Sequence, residues 1–300
     1  GIDQGADYIE PDLVVTKDGV LVARHENEIS GTTDVASHEE FASRQRSKTI
    51  DGQLVTGWFA EDFTLAELRT LRVRERLPGV RPQNVRYDGL WQVPTLEEVV
   101  RLVRAKEAET GRRIGIYPEL KHPHFLLQTE GIDTVDLLLL DLKRLKVTPD
   151  DPVFIQSFEI APLKRLKQRS GFRLVQLVAT EGGPADEAAL TYAEMLSPTG
   201  LAAMAQYADA VGADMRLILG GDGKPTALVA NARAAGLDVH AWTLRKENAF
   251  LPPSLHGPGG DGARGCIEGL FALLAGAGVT GVFTDDPAIA IGARDGKRCP

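Results

Sequence analysis

Short apolar runs, separated by more polar stretches, recur along the whole chain. Runs of about four to eight residues bounded by turn-forming residues are typical of buried strands. Seven segments have this pattern: residues 8–15, 114–120, 153–158, 172–178, 208–219, 237–243 and 279–284. The pattern predicts a strand in each of them.

Helical patterns lie between these strands. Thr64 with Glu67, and Thr95 with Glu98, have the spacing of a capping box and precede apolar residues at helical intervals. Further helices are predicted at residues 133–146, 161–168, 226–235 and 266–275. Strands that alternate with helices pair in parallel, because each helix carries the chain back before the next strand begins.

Parallel strands of this kind form an open doubly wound sheet or a closed barrel. No GxGxxG motif opens a helix after an early strand, which disfavours a dinucleotide-binding sheet. Seven strands are one fewer than a (β/α)8 TIM barrel requires, and the chain begins at Gly1, close to its first strand. We predict an α/β fold with one barrel domain over residues 1–300, whose first strand and most of whose first helix precede this sequence.

Two connections are too long to be simple turns. Residues 27–63 are mostly polar, and residues 245–264 are rich in glycine and proline. Long loops in compact domains are usually functional, and in a barrel they surround the mouth at the carboxyl ends of the strands. The alternative is that both are solvated insertions without a role.

Composition narrows the class of protein. The 300 residues carry a formal net charge of -8, so we expect no broad basic surface for nucleic acid. No apolar run approaches the roughly 20 residues that span a bilayer. Cys266 and Cys299 lack the spacing of a metal-binding motif, so they either form a disulfide with each other or remain free thiols. The sequence does not determine the oligomeric state.

The first predicted strand carries two carboxylates on one face. Glu10 and Asp12 are two residues apart, so both point to the same side, opposite Ile9 and Leu13. Like charges side by side at a barrel mouth are costly without a cation, and a hard divalent ion would remove that cost. The alternative is a pair of solvated acids at a strand end.

The chain then turns at residues 16–19 and returns as a second apolar run. If Lys17 and Asp18 form a two-residue bend, His25 comes to lie opposite Glu10. An imidazole beside a carboxylate pair is suited to general acid or base chemistry near neutral pH.

The later strands add further candidates. Residues 114–121 alternate so that Glu119 and Lys121 point inward; they either pair with each other or complete a metal site and bind a phosphate oxygen. Gln156 lies at the end of the next strand and is a candidate substrate-binding residue. Trp242 either walls the substrate site or is a buried core residue, and Arg245 just beyond it is a candidate phosphate ligand.

Taken together, these segments resemble the glycerophosphodiester phosphodiesterase family. GADYIEPDLVVTKDGVLVARHE, IGIYPELKHP, VFIQSFE, VHAWTLR and GVFTDDP follow the family's order and spacing over nearly the whole chain. The long insertion, DFTLAEL and YPELK look like the periplasmic subgroup. The resemblance implies a (β/α)8 barrel that hydrolyses glycerophosphodiesters, such as glycerophosphocholine or glycerophosphoethanolamine, to glycerol 3-phosphate and an alcohol.

The resemblance also implies roles for single residues. Glu10, Asp12 and Glu119 match the family's metal ligands, with Ca²⁺ expected in the periplasmic subgroup and Mg²⁺ as the alternative. His25 matches the histidine that protonates the leaving alcohol, and Lys121 matches a phosphate ligand. In the family, the substrate's own glycerol hydroxyl attacks first, and water opens the resulting cyclic phosphate.

Two departures from the family follow. The family's first strand carries an HRG motif, which this sequence lacks, so we expect these residues to hold one half of the acid–base pair. The family's usual HD is here His25–Glu26.

The alternative functions are a non-catalytic barrel used as a binding module, or a related phosphodiesterase acting on another lipid or on teichoic acid. Subgroup resemblance implies a periplasmic or secreted protein.

Overall fold

A computed structural model describes residues 1–299 of the chain. Its strands are β1 (Tyr8–Ile9), β2 (Asp12–Val15), β3 (Leu21–Ala23), β4 (Arg46–Ile50), β5 (Gln53–Gly57), β6 (Gly115–Ile116), β7 (Glu119–Leu120), β8 (Phe154–Ser157), β9 (Arg173–Val178), β10 (Ala210–Asp214), β11 (Asp238–Leu244) and β12 (Gly281–Thr284). Six of the seven predicted segments contain at least one of these strands, and the seventh, 237–243, overlaps all of β11 except Leu244.

The helices follow the predicted alternation. They are α1 (Leu65–Leu68), α2 (Leu96–Thr110), α3 (Pro123–Phe125), α4 (Thr134–Arg144), α5 (Ile160–Arg169), α6 (Tyr192–Met195), α7 (Pro198–Met204), α8 (Met215–Ile218), α9 (Leu228–Ala234), α10 (Ile267–Ala277) and α11 (Pro287–Arg294). Both predicted capping boxes are formed. The side chains of Thr64 and Thr95 each accept a hydrogen bond from the backbone amide of the glutamate three residues later, and the side chain of that glutamate accepts one from the backbone amide of the threonine. Among the described residues, no helix is both long enough and apolar enough to cross a bilayer.

The chain clusters into two compact units. Residues 1–9 and those from 154 onward form the first, and Glu10–Val153 form the second. In the first unit, β8 to β12 are parallel, each paired with the next in chain order. The central residues of β8 to β11 are buried, as expected for strands covered on both faces, whereas those of β12 are partly exposed. Cys266 and Cys299 form a disulfide with a Cα–Cα distance of 5.4 Å.

In the second unit, β2 lies between two partners. It pairs in parallel with β7 and antiparallel with β3. Val14 and Val22 face each other across β2 and β3, and they join a buried cluster formed with the segment that follows. The hairpin therefore has one face committed to a core, which fixes its register.

The long connection at residues 27–63 is more ordered than a mouth loop. It contains the antiparallel hairpin β4–β5, whose two-residue turn is Asp51–Gly52 with both φ values positive (49° and 79°). Such a turn matches the natural twist of paired strands. Phe41, Trp58 and Phe63 pack into the same buried cluster as Val14. The segment therefore contains a hairpin and core residues that the prediction of a polar loop did not include, and its place at the barrel mouth stays a prediction.

One other expectation needs correction. The segment 208–219 is a strand only as far as Asp214, whose side chain accepts a bond from the Arg216 amide and starts α8. The connection 245–264 is held by Asn248, whose amide donates to the carbonyls of Gly257 and Gly260. The prediction of a single domain over residues 1–300 stays a prediction.

Candidate active site

The pairing of β2 with β7 brings two acidic residues together. Asp12 is the register partner of Glu119, and the Glu119 amide donates to the Pro11 carbonyl at 3.0 Å. Parallel neighbours in register present their side chains to the same face of a sheet. The two carboxylates, 107 positions apart along the sequence, therefore lie side by side in the 10–153 unit.

Glu10 completes a cluster of three carboxylates. It precedes Asp12 by two residues, and one oxygen each of Glu10, Asp12 and Glu119 lies within 4.8 Å of the other two. Carboxylate oxygens at such spacing are the ligands that Ca²⁺ and Mg²⁺ prefer. The sequence prediction that these three residues come together is confirmed, and the donor set fits a hard divalent cation.

Lys121 lies against the same cluster. Its ammonium is 2.9 Å from Glu119 Oε1 and 3.6 Å from Asp12 Oδ1, and its side chain is 8% exposed. Lys121 pairs with Glu119, as one reading of the sequence expected, and its role as a phosphate ligand stays a prediction. One buried ammonium among three carboxylates leaves an excess of negative charge, which a divalent cation would balance.

Burial perturbs both partners of this pair. It raises the pKa of the Glu119 carboxyl, and the nearby Asp12 charge raises it further, while Lys121 opposes the shift. For Lys121, burial alone would lower the pKa, but Glu119 and Asp12 outweigh it, so the pKa of the ammonium is raised. Lys121 is therefore positively charged at neutral pH, and Glu119 is a carboxylate that needs positive charge nearby to ionise.

The hairpin register places His25 differently from the prediction. Leu13 pairs with Ala23 and Val15 with Leu21, because the turn has three residues and ends in Gly19 with φ 79°. The predicted two-residue bend was wrong by one position, and a shift of one residue reverses which face a side chain occupies. His25 therefore does not face Glu10 across the hairpin.

His25 instead forms a chain of polar contacts with the next residues. Its Nδ1 lies 2.7 Å from Glu26 Oε1, and the same oxygen accepts a bond from Arg76 at 2.6 Å. Burial would raise the pKa of the Glu26 carboxyl, but His25 and Arg76 together lower it to about 2. Glu26 is thus ionised and holds one ring nitrogen of a half-exposed imidazole.

Three predicted substrate contacts belong to the other unit. Gln156 is buried in β8. Trp242 is partly buried in β11, where its indole donates to the Gly212 carbonyl at 3.0 Å. Arg245 pairs with Asp285 at 2.9 Å. Their roles in substrate binding stay predictions.

Sequence reasoning missed two features of the 10–153 unit. Arg24 is 9% exposed, and within the described residues its Nε has no hydrogen-bond partner. Burial lowers the pKa of this guanidinium to about 10, although Glu26 and Glu28 oppose the shift. His122, next to Lys121, lies 2.6 Å from Asp51 at the tip of the β4–β5 turn. Neither contact pattern has a local signal in the sequence.

Strands that alternate with helices, with ionisable side chains gathered where a strand ends, define the class of α/β barrel enzymes. Residues 1–289 match the glycerophosphoryl diester phosphodiesterase family. The chain belongs to this family, and it is an enzyme of the phosphoric diester hydrolase class.

Known relatives agree with this placement. A glycerophosphodiester phosphodiesterase of Arabidopsis thaliana is 34% identical over 83% of this chain and 70% of its own length. The enzyme of that name from Haemophilus influenzae is 32% identical over 95% of this chain and 80% of its own length.

Solved structures confirm the (β/α)8 barrel fold class. A phosphodiesterase from Oleispira antarctica, solved in complex with the product sn-glycerol-3-phosphate, superposes with a TM-score of 0.63 at 19% identity. The match covers 98% of this chain and 87% of that one.

Proposed function

We propose that the protein hydrolyses glycerophosphodiesters, such as glycerophosphocholine or glycerophosphoethanolamine, to glycerol 3-phosphate and the free alcohol, and that the reaction requires a divalent cation. The observation that carries this proposal is the cluster of Glu10, Asp12 and Glu119, with ligand oxygens within 4.8 Å of one another and the Lys121 ammonium beside them. The family and a similar structure that holds sn-glycerol-3-phosphate support the substrate class.

Glu10, Asp12 and Glu119 would hold the cation. Their hard oxygen atoms suit Ca²⁺, our first choice, and Mg²⁺ as the alternative. A divalent ion bound there supplies positive charge that polarises the phosphoryl oxygens. The cation also lets Glu119 remain ionised despite its burial, since opposite charge favours the charged form of a carboxyl.

Lys121 and Arg24 would bind the anionic phosphate. Lys121 holds a fixed ammonium at the edge of the carboxylate cluster, where a phosphoryl oxygen can accept from it. Arg24 follows β3, and its amide donates to the Asp12 carbonyl at 2.8 Å. A buried guanidinium nitrogen without a hydrogen-bond partner, such as Arg24 Nε, is costly, and an anionic ligand that accepts from it would remove that cost.

His25 would act as the general acid. When the Nδ1–H group donates a hydrogen bond to the Glu26 carboxylate, Nε2 is the ring nitrogen that can exchange a proton with the substrate. The protonated ring is the form that would protonate a leaving alcohol oxygen, and the contact with Glu26 would hold that ring in place. Arg76, bound to the same Glu26 oxygen, fixes the orientation of this carboxylate.

The test combines turnover with cation binding. The full-length protein is stripped of metal, and release of glycerol 3-phosphate from glycerophosphocholine is measured alone, with Ca²⁺ and with Mg²⁺, while calorimetry measures cation affinity. We expect turnover only with the cation, and loss of both affinity and turnover in Asp12→Asn. The matched control is Glu61→Gln, a buried carboxylate outside the cluster. Undiminished turnover by stripped protein would sink the metal requirement.

We also propose that the protein works outside the cytoplasm, in the periplasm or as a secreted protein. The Cys266–Cys299 disulfide supports this proposal, since such bonds persist in oxidising compartments and are rare in the cytosol of most organisms. Cell fractionation combined with thiol alkylation tests it: the protein should be extracytoplasmic with both cysteines blocked. Recovery of reduced protein in the cytosol would contradict it.

A further inference from the structure

Residues 72–92 carry a local charge opposite to that of the whole chain. This stretch holds five arginines and two acids, a balance of +3, whereas the chain carries -8. The two acids, Glu75 and Asp88, are engaged within the segment: Asp88 accepts from the Glu75 amide at 2.7 Å, and Glu75 accepts from Asn84 at 2.7 Å. Arg74 and Arg86 are exposed.

The same segment exposes large apolar and aromatic side chains. Leu90 is 60% exposed and Trp91 55%, and Val85 and Tyr87 are also exposed. The rings of Tyr87 and Trp91 lie 5.3 Å apart, and the Arg86 guanidinium lies over the Tyr87 ring at 4.7 Å. A cluster of such groups on a protein surface marks an interaction site more often than isolated exposed leucines do.

The backbone holds this surface in place. The Val73 amide donates to the Trp91 carbonyl at 2.9 Å, and the Gly89 amide donates to the Val73 carbonyl at 3.0 Å. Residues 85–91 are therefore fixed against the strand-like stretch at Val73, and their apolar side chains remain outside the buried cluster that Val73 joins.

The segment that carries this surface is also linked to the partner of the proposed acid. Arg76, in the same segment, binds the Glu26 oxygen that also contacts His25. The backbone contacts at Val73 and the Arg76–Glu26 pair therefore both hold this segment within the 10–153 unit.

We propose that the arginine–aromatic surface, formed by Arg74, Val85, Arg86, Tyr87, Leu90 and Trp91, docks onto an anionic lipid bilayer. Tyrosine and tryptophan rings favour the level of lipid headgroups, leucine enters the acyl boundary, and arginine is attracted to anionic lipids. At physiological salt, charges farther away than about 8 Å are screened, so the local arginines outweigh the distant acids.

The test is partition into vesicles, measured by co-sedimentation. We expect binding to phosphatidylcholine vesicles that contain phosphatidylglycerol, weaker binding without phosphatidylglycerol, and loss of binding with added salt. Leu90→Ser with Trp91→Ser should lower the partition coefficient by at least about tenfold, and Arg74→Gln or Arg86→Gln by about fivefold each. Leu140→Ser on α4, equally exposed at 62%, is the matched control and should bind like wild type.

Tryptophan fluorescence gives a second readout. Trp91 is more than half exposed, so its emission should shift to the blue on anionic vesicles, and Trp91→Phe should remove the shift. Absence of partition by wild-type protein, equal loss in Leu140→Ser, or a dimer that the Leu90 and Trp91 changes dissociate without any vesicle binding would each overturn the proposal. Turnover of soluble glycerophosphocholine by the same variants tests the proposed function separately.

Discussion

Replacing Glu119 by Gln should have opposite effects on the metal-free and the metal-bound protein. Glu119 has a raised pKa, so its folded form prefers the proton and its ionised form is destabilised. Stability of the metal-free wild type should therefore fall as pH rises above the ordinary value of 4.5. Glutamine does not titrate, and its carbonyl oxygen can still accept from Lys121, 2.9 Å away in the wild type.

The size of each effect follows from linkage. Each unit by which burial raises the pKa of Glu119 costs the ionised folded state about 1.4 kcal/mol, so the expected effect lies in the range of about one to a few kcal/mol. Metal-free Glu119→Gln should be more stable than wild type by an amount in this range near neutral pH, and by little near pH 4.5. A cation at a hundredfold excess over its Kd should stabilise wild type by about 2.7 kcal/mol.

Urea unfolding at several pH values, with and without Ca²⁺, measures both quantities. Glu61→Gln is the matched control, because Glu61 is also buried, is 2.7 Å from the buried Lys48, and has a pKa raised by burial. We expect Glu61→Gln to alter the pH dependence of stability while keeping the full stabilisation by Ca²⁺. Glu119→Gln should lose that stabilisation.

Two results would refute this reasoning. If Ca²⁺ and Mg²⁺ stabilise Glu119→Gln as much as wild type, Glu119 is not a ligand. If metal-free Glu119→Gln is less stable than wild type at neutral pH, the ion pair with Lys121 alone offsets the cost of burying the Glu119 carboxylate. The cluster would then not require a cation.

The remaining predictions concern proton transfer, phosphate binding and the disulfide. His25→Ala should lower kcat by about 10²- to 10⁴-fold while calorimetric cation affinity stays at the wild-type value; a near wild-type kcat would contradict the acid role. Lys121→Met should lower kcat/KM about a hundredfold yet bind the cation at least as tightly, since a repelling charge is gone; weaker binding would contradict this. Replacing Cys266 and Cys299 by alanine should cost about 4 kcal/mol in urea unfolding, from a sequence separation of 33 residues; a loss below about 0.5 kcal/mol would refute it.

Local rules were enough to predict the elements that carry the metal ligands. Glu10 and Asp12 share a face because strand side chains alternate, and the parallel order of strands brings Glu119 beside Asp12. The capping boxes at Thr64 and Thr95 formed because both halves of each box are local in sequence. These predictions needed only residue spacing and the rule that strands separated by helices run in parallel.

The hairpin register could not be read with the same ease. The sequence from Thr16 to Val20 is compatible with a two-residue or a three-residue turn. Only the three-residue turn lets Val14 face Val22 in the buried cluster. The packing of residues 27–63 against that cluster therefore selects the register. A turn count that is short by one residue shifts the pairing register by one position. Because side chains alternate between the two faces of a strand, that shift placed His25 on the wrong face.

At residues 27–63, the sequence predicted the position of a long connection but not the hairpin and the long-range contacts within it. Its Asp51–Gly52 pair is a strong hairpin signal, but the contact of Asp51 with His122 joins residues 71 positions apart, and no local rule supplies such a pair. That contact, together with the 2.8 Å pair between Lys48 and Glu130, ties β4–β5 to the chain directly after Lys121. We therefore expect a change at the hairpin tip to alter the position of His122, the residue directly after Lys121, although the hairpin residues need not touch the substrate.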